Sequence, residues 1–313
     1  MNFLVTGGAG FIGSNVADRL LSNGHRVIVL DNLSRPNVYK NLMWLVGKHR
    51  QLRFFQSNVR NYDKVRQVVH DYDIDFIYHF AGQVGVKQSI EDPWGDFQDN
   101  AIGTFNILEA ARSSIRKPHV VFASTNKVYG EIEVNEPVSE KQPLMFETPY
   151  GCSKGAAEQY CLDYYRIYNL PTTVLRMSCI YGNRQMGHED QGWLAHFMIQ
   201  KQKEAPVVIY GDGSQVRDAL YIDDYVSLCM MLIGSERAKG RVYNIGGGDK
   251  NKISVLDAVK RVGNEFTYGS WRKADQKYYV SDITKVNKDL GWEPKISIDE
   301  GLERLSLWVK DLV

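Results

Sequence analysis

The sequence predicts an α/β protein in which a doubly wound parallel sheet is followed by a smaller C-terminal α/β unit. Three observations lead to that expectation. The first thirty-one residues run as strand, glycine-rich turn, helix and second strand, ending on an acid. Continuous apolar runs then alternate with stretches of helical periodicity as far as residue 176, the pattern of strands buried on both faces. Beyond that point the runs become isolated, with glycines and charges crowded between them. A chain of 313 residues with 43% hydrophobic content suits one large α/β domain or a nucleotide domain plus a smaller one. The expected boundaries are 1–176 and 177–313, with a segment near 218–243 returning to the first domain.

The opening unit comprises Asn2-Phe3-Leu4-Val5-Thr6, the turn Gly7-Gly8-Ala9-Gly10-Phe11-Ile12-Gly13, a helical stretch over 14–21, the run Arg26-Val27-Ile28-Val29-Leu30, and Asp31. This is the dinucleotide-binding βαβ fingerprint of a Rossmann sheet. Gly7 suits a turn too tight for a side chain. Gly10 lets backbone approach a pyrophosphate, and Gly13 lets the helix pack closely. The helix N-terminus offers unpaired N–H groups and a positive dipole end to the phosphates. A carboxylate at Asp31 can bind both ribose hydroxyls and repels a 2′-phosphate, which predicts NAD rather than NADP.

Later apolar runs fall at 52–55, 76–80, 120–123 and 172–175, separated by helical stretches near 38–49, 61–70, 94–113 and 149–168. Isolated runs follow at 207–210 and 242–245. Ligands of such sheets sit beyond the carboxyl ends of the strands, so chemistry is sought just after each run. There stand Ser57-Asn58-Val59-Arg60, placed to flank an adenine, and Ala81-Gly82-Gln83-Val84, small enough at its start for backbone to approach a cofactor. The run at 120–123 delivers Ser124-Thr125-Asn126-Lys127-Val128-Tyr129-Gly130. Asn100 lies inside a long helix, where a polar side chain is either solvated or bonded to nearby backbone. Pro149-Tyr150-Gly151-Cys152-Ser153-Lys154 opens another helix, with Tyr150 and Lys154 on one face. A free tyrosine has a pKa of roughly 10. A nearby ammonium and an oxidised nicotinamide would favour its phenolate.

Composition narrows the classes. A formal net charge of +1 provides no field for nucleic acid or an anionic membrane. The four cysteines, Cys152, Cys161, Cys179 and Cys229, form no C-x-x-C pair and no His/Cys cluster, which argues against structural zinc and a disulfide framework and fits a reducing compartment. Met1 lies one residue before a core strand, leaving no room for a signal peptide, and no apolar stretch is long enough to span a bilayer. The expectation is a soluble cytoplasmic protein without a metal.

The turn Thr6-Gly7-Gly8-Ala9-Gly10-Phe11-Ile12-Gly13, the Tyr150/Lys154 pair, Tyr181-Gly182-Asn183-Arg184-Gln185, the run Gly211-Asp212-Gly213-Ser214-Gln215-Val216-Arg217-Asp218 and the closing Leu290-Gly291-Trp292-Glu293-Pro294 together span the chain. On these motifs the sequence resembles the extended short-chain dehydrogenase/reductase family, specifically its nucleotide-sugar epimerases and dehydratases. The resemblance implies a tightly held NAD that is regenerated every turnover. Tyr150 would be the base, Lys154 would bind the nicotinamide ribose and lower the tyrosine pKa, and Thr125, with Asn126 beside it, would meet the reacting sugar hydroxyl. The implied cofactor contacts are Gly7, Gly10, Phe11, Ile12, Gly13, Asp31, Asn32, Ser34, Asn58, Val59, Ala81, Gln83, Asn100, Ser124 and Cys179, besides Tyr150 and Lys154. The implied contacts to a nucleotide-diphosphate sugar are Gln83, Thr125, Asn126, Lys127, Gln185, Gln191, Arg217 and Lys277. Arginine suits the diphosphate wall because its planar fork meets phosphate oxygens bidentately.

One departure narrows the family. In sugar 4,6-dehydratases an Asp-Glu pair follows the threonine and expels water. Asn126 and Lys127 stand there instead, and neither an amide nor an ammonium replaces those carboxylates. Thr125-Asn126-Lys127-Val128-Tyr129-Gly130, with Ala81-Gly82-Gln83-Val84, the segment 150–157 and Asp190-Gln191-Gly192-Trp193, is instead similar to CDP-tyvelose (CDP-paratose) 2-epimerases. The stretch between Gly130 and Tyr150 is more compact than the resemblance implies, so the sugar is expected to be of the CDP-paratose/tyvelose type or a CDP-hexose that keeps its 6-hydroxyl, as CDP-glucose does. The expected reaction is inversion at C2 of a CDP-hexose through a 2-keto intermediate. A UDP-sugar 4-epimerase is the alternative and a dehydratase the third reading. An intact Tyr150/Lys154 pair argues against a non-catalytic NAD-sensing or RNA-binding relative. Cys152 and Cys179 are expected to be small apolar fillers near the site. The family commonly pairs the helices near 96–112 and 150–168, which carry Ile107, Leu108, Ala157 and Leu162, giving an expected homodimer or homotetramer.

Overall fold

The computed structural model describes residues 1–133 and 135–312. Its first half alternates β1 (Asn2–Thr6), α1 (Phe11–Ser22), β2 (Arg26–Asp31), α2 (Val38–Lys48), β3 (Arg53–Gln56), α3 (Tyr62–Asp71), β4 (Phe76–His79), α4 (Val86–Glu91), α5 (Pro93–Phe97), α6 (Gly103–Ser113), β5 (His119–Thr125), α7 (Pro149–Tyr168) and β6 (Thr172–Met177). The second half contains β7 (Cys179–Tyr181), α8 (Trp193–Gln202), β8 (Val207–Tyr210), β9 (Val216–Tyr221), α9 (Ile222–Leu232), β10 (Arg241–Ile245), β11 (Lys252–Ser254), α10 (Val255–Val262), β12 (Phe266–Gly269), β13 (Tyr278–Tyr279), α11 (Thr284–Leu290) and α12 (Ile298–Leu312).

Seven parallel strands form one sheet in the order β3-β2-β1-β4-β5-β6-β10. The alternation of side chains along β1 explains why both faces are apolar. Phe3 and Val5 join the layer packed under α1 and α9, while Leu4 joins the layer under α3, α6 and α7. The strand order reverses between β1 and β4, and that crevice is where ligands of doubly wound sheets bind. β10 pairs with β6 along Arg241–Ile245, so the chain returns to the first sheet after leaving it. The remaining strands make small sheets: β9 is flanked by β11 and β13 and also pairs with β7, and β8 pairs with β12. The buried Trp292 ties the C-terminal region back, its indole N–H donating to the Asp224 carbonyl at 3.0 Å.

Two expectations need correction. The helix expected over 94–113 is not continuous: α5 ends at Phe97, a π-helical turn occupies Gln98–Ile102, and α6 begins at Gly103. Asn100 sits in that wide turn and its amide bonds outside the helix ladder, which periodicity alone does not reveal. The apolar residues named for a subunit interface are also committed elsewhere. Ile107, Leu108 and Ala157 are fully buried in this chain's own core, and Leu162 packs against it. The outer faces of α6 and α7 instead carry Phe105, Tyr160, Tyr165, Ile167 and Tyr168. Among the described residues, no helix is long and apolar enough to cross a membrane.

Candidate active site

The crevice between β1 and β4 is shaped by missing side chains. Gly7 has φ +68°, and a Cβ there would lie 2.7 Å from the Ala81 nitrogen. A Cβ on Gly13 would lie 2.2 Å from the Gly7 carbonyl oxygen. The turn, the start of α1 and the end of β4 therefore touch backbone to backbone. Gly13 packs α1 onto the turn itself rather than onto the sheet. No acidic residue stands in the first turn of α1, so nothing offsets its positive end. Asp31 closes the far side. Its Oδ2 accepts from the Ala9 N–H at 3.0 Å and its Oδ1 from the Leu33 N–H at 2.8 Å. These bonds orient the carboxylate and leave each oxygen a lone pair for a ligand.

A cavity of ≈ 150 Å³ fills the crevice. It is lined by Gly7, Gly10, Phe11, Ile12, Gly13, Asp31, Asn32, Ser34, Asn58, Val59, Ala81, Tyr150 and Lys154, all expected cofactor contacts, and also by Gln191. Four expected contacts lie off this lining. The Ser124 hydroxyl is turned to Glu158, at 2.8 Å. Gln83 donates to the Gly85 carbonyl at 2.7 Å. Cys179 stands on β7 near Arg217 and Trp193, and burial pushes its thiol up to about 12, as suits an inert filler. Cys152, expected as a second filler, is exposed on α7. Asn100 is fully buried beneath the crevice. Its Nδ2 donates to Asp96 (3.0 Å) and Ser153 (3.1 Å), while its Oδ1 has no partner among the described residues and points at Gly82. Arg35 also lines the cavity and was not expected. Its guanidinium bonds Gln191 and lies 3.5 Å from His188, joining the two halves across the opening. A loop arginine has no periodicity to mark it.

Tyr150 and Lys154, one helical turn apart on α7, both line this cavity. The Lys154 ammonium lies 4.4 Å from the centre of the Phe122 ring, and burial lowers its pKa to about 8, with Asp96 opposing. Tyr150 does not show the lowered pKa that the motif implies. Burial pushes it up to about 12, although a hydrogen bond with Thr125 and the charge of Arg35 pull it down and Asp96 adds to the rise. Near neutral pH a phenol this enclosed ionises only with further positive charge supplied to the site.

β5 ends at Thr125, and a 3₁₀ turn (Asn126–Tyr129) carries the next residues over the crevice. The Thr125 hydroxyl accepts from the Lys127 N–H at 3.2 Å, and the Asn126 amide donates to Gln276 at 3.3 Å. Beyond the turn lies a second hollow of ≈ 350 Å³, lined by Glu131, Glu147, Trp271, Arg272, Ala274, Asp275, Gln276 and Lys277. Of the expected substrate contacts only Lys277 is on that lining. Arg217 reaches its wall, donating to Asp275 at 3.0 Å and to the Gln276 carbonyl at 2.6 Å. Gln185 is buried, with its amide on the Ile180 carbonyl and its Oε1 unpaired among the described residues. Arg272 and Asp275 were missed, because irregular segments carry no spacing signal. Arg272 stacks 3.9 Å over Tyr210 and meets Asp190 at 3.2 Å.

Burial lowers Lys127 to about 7. Arg217 adds to the fall, and Asp275 and Glu147 oppose it. An unfolded lysine titrates near 10.5, so between those values the unfolded chain holds a proton that the folded chain has released. This group therefore adds stability as pH rises from about 7 towards 10.5. Lys127→Met is expected to melt above the wild type at pH 6, the gap closing towards pH 9. Paired thermal melts check this, and a gap independent of pH would count against it.

The cavity fits a dinucleotide. Glycines open a phosphate-sized cradle at a helix N-terminus, an oriented carboxylate stands at the ribose position of the fingerprint, and a buried acceptor on Asn100 awaits a donor.

Comparison with known proteins agrees. The family model described as GDP-mannose 4,6 dehydratase matches residues 4–305. The chain is 38% identical to the CDP-paratose 2-epimerase of Salmonella typhi, over the whole length of both. It is similar to the structure of Thermotoga maritima UDP-glucose 4-epimerase with UDP-glucose, with a TM-score of 0.92, 34% identity, and 100% and 99% of the two chains covered. The Thermus thermophilus UDP-glucose 4-epimerase complex with NAD gives a TM-score of 0.91 at 32% identity, with both chains fully covered.

Proposed function

The chain belongs to the GDP-mannose 4,6-dehydratase-like family of extended short-chain dehydrogenases/reductases, and from that premise we propose that it is a nucleotide-sugar epimerase inverting C2 of a CDP-hexose. Its cofactor is NAD, which when bound supplies a hydride acceptor and donor and, in its oxidised form, a positive charge.

One observation supports epimerisation over water elimination. The turn that meets Tyr150 carries Thr125, Asn126 and Lys127, so the position after the threonine holds no carboxylic acid to protonate a leaving hydroxyl and no carboxylate to take a proton. The choice of C2 and of cytidine rests on the likeness to the CDP-paratose 2-epimerase. In this reading Gly7, Gly10, Gly13 and the start of α1 hold the pyrophosphate. Asp31 holds the adenine ribose, and Lys154 holds the nicotinamide ribose. Tyr150 takes the proton of the C2 hydroxyl, which Thr125 holds in place. Arg217 keeps the diphosphate anchored while the 2-keto sugar turns over. An anion there competes with Asp275 for the guanidinium.

A UDP-sugar 4-epimerase is the second reading, favoured by the likeness to an enzyme of that name bound to UDP-glucose. Proton NMR of the purified protein with CDP-glucose, CDP-paratose and UDP-glucose in separate tubes, without added cofactor, tests the choice. A manno-configured anomeric signal from a CDP-sugar supports the proposal. A galacto signal from UDP-glucose moves the reaction to C4.

The proposed division puts residues 1–176, with 218–243 returning, in the NAD domain, and the rest mainly around the sugar nucleotide. The exposed aromatic faces of α6 and α7 support a homodimer, and the four free cysteines support a cytoplasmic setting.

A further inference from the structure

Behind the turn that carries Thr125, Asn126 and Lys127 lies a chain of buried polar groups that none of the proposed steps uses. Glu158 follows Tyr150 and Lys154 at four-residue spacing on α7 and is fully buried. Its Oε2 accepts from the Ser124 hydroxyl at 2.8 Å and from Arg176 Nε at 3.1 Å, and its Oε1 accepts from Arg176 Nη2 at 2.5 Å. Arg176, on β6, donates through Nη1 to the Tyr129 hydroxyl at 2.8 Å. That hydroxyl donates to Asn244 Oδ1 on β10 at 2.7 Å. Asn244 in turn donates to the Val138 carbonyl at 2.8 Å through its amide and to Glu140 at 2.8 Å through its backbone N–H.

None of these groups lines either hollow. A buried ion pair is a poor source of stability, since well-packed apolar side chains of similar volume often do as well or better. What it does provide is fixed geometry, because a planar fork has one good docking on a carboxylate. Here the docking joins the catalytic helix to both ends of the substrate-facing turn, through Ser124 beside Thr125 and through Tyr129 at its close.

We propose that Glu158, Arg176, Tyr129 and Asn244 are positioning residues that hold the 125–129 turn against Tyr150. The proposal rests on the functional reading above for the roles of Tyr150 and Thr125. Thr125 lowers the pKa of the Tyr150 phenol, as does the charge of Arg35, while Asp96 raises it, so the ionisation of that phenol reports whether the turn is in place.

Tyr129→Phe is the principal test, because it removes one hydroxyl and keeps a ring that stacks on Tyr279 at 6.1 Å. Glu158→Gln is the harsher companion, and its misfolding would leave the principal test intact. In NAD-loaded protein with ¹³C-labelled tyrosine, the signal absent from Tyr150→Phe is titrated by NMR. Tyr129→Phe is expected to shift that titration upward. With the nucleotide sugar, kcat should fall about tenfold to a hundredfold with KM unchanged. In a Thr125→Val background the same substitution should cost little further kcat, since both act on one contact. A Tyr150 titration that does not move, with only the melting temperature lowered, would make the network structural and overturn the proposal. If the wild type turns over no nucleotide sugar, the functional reading fails, while the phenol titration still decides the positioning role.

Discussion

Tyr150→Phe is expected to lower turnover by roughly 10³ while leaving the fold and the bound NAD in place, the scale of loss when a positioned acid–base group is removed. The ring is buried at the N-terminal end of α7, and phenylalanine fills nearly the same space. What disappears is the hydroxyl whose pKa Thr125 lowers. Thr125 keeps its contact with the Lys127 N–H, so the turn has no reason to collapse. Steady-state rates, cofactor absorbance and a thermal melt on the same preparation check the three parts. Residual turnover within tenfold of the wild type would remove Tyr150 from the chemistry.

Gly13→Ala is expected to yield protein without cofactor and with a lowered melting temperature. Its Cβ would sit 2.2 Å from the Gly7 oxygen and 2.7 Å from Gly8 Cα, and both neighbours are backbone that cannot swing aside. α1 must move off the turn, and with it go the N–H groups aimed at the pyrophosphate. Overpacking of this kind costs about 1–3 kcal/mol. Gly47→Ala on α2 is the control. Nothing lies within 4 Å of its new Cβ, so helix propensity should make it neutral or stabilising by up to about 1 kcal/mol. Thermal melts and the cofactor absorbance of the purified proteins separate the two. Normal NAD content in Gly13→Ala would contradict the cradle.

The first sheet was legible because its strands are buried on both faces, so β1, β2 and β4 read as unbroken apolar runs. The crevice was legible because backbone contact demands glycine at fixed spacing, as at Gly7 and Gly13. Residues whose roles depend on distant partners were not. Ser124 follows a core strand like any site residue, yet its hydroxyl is claimed by Glu158, thirty-four residues away. Asn100 looks like an ordinary helical polar residue until the π turn places it under Gly82. Arg35, Arg272 and Asp275 lie in irregular segments, where no period distinguishes a ligand contact from a solvated charge. The Tyr150 pKa shows the same limit. Spacing put a lysine on its helix face, but enclosure of the phenol outweighs neighbouring charge.

The most direct test of the proposed chemistry follows a label. CDP-glucose carrying deuterium at C2 is incubated with the purified protein in ordinary water, and the product is read by proton and deuterium NMR. The expected product is a manno-configured CDP-hexose that keeps its deuterium at C2, because the hydrogen leaves and returns within one closed site. A product carrying solvent hydrogen at C2, or a galacto-configured product inverted only at C4, would contradict it.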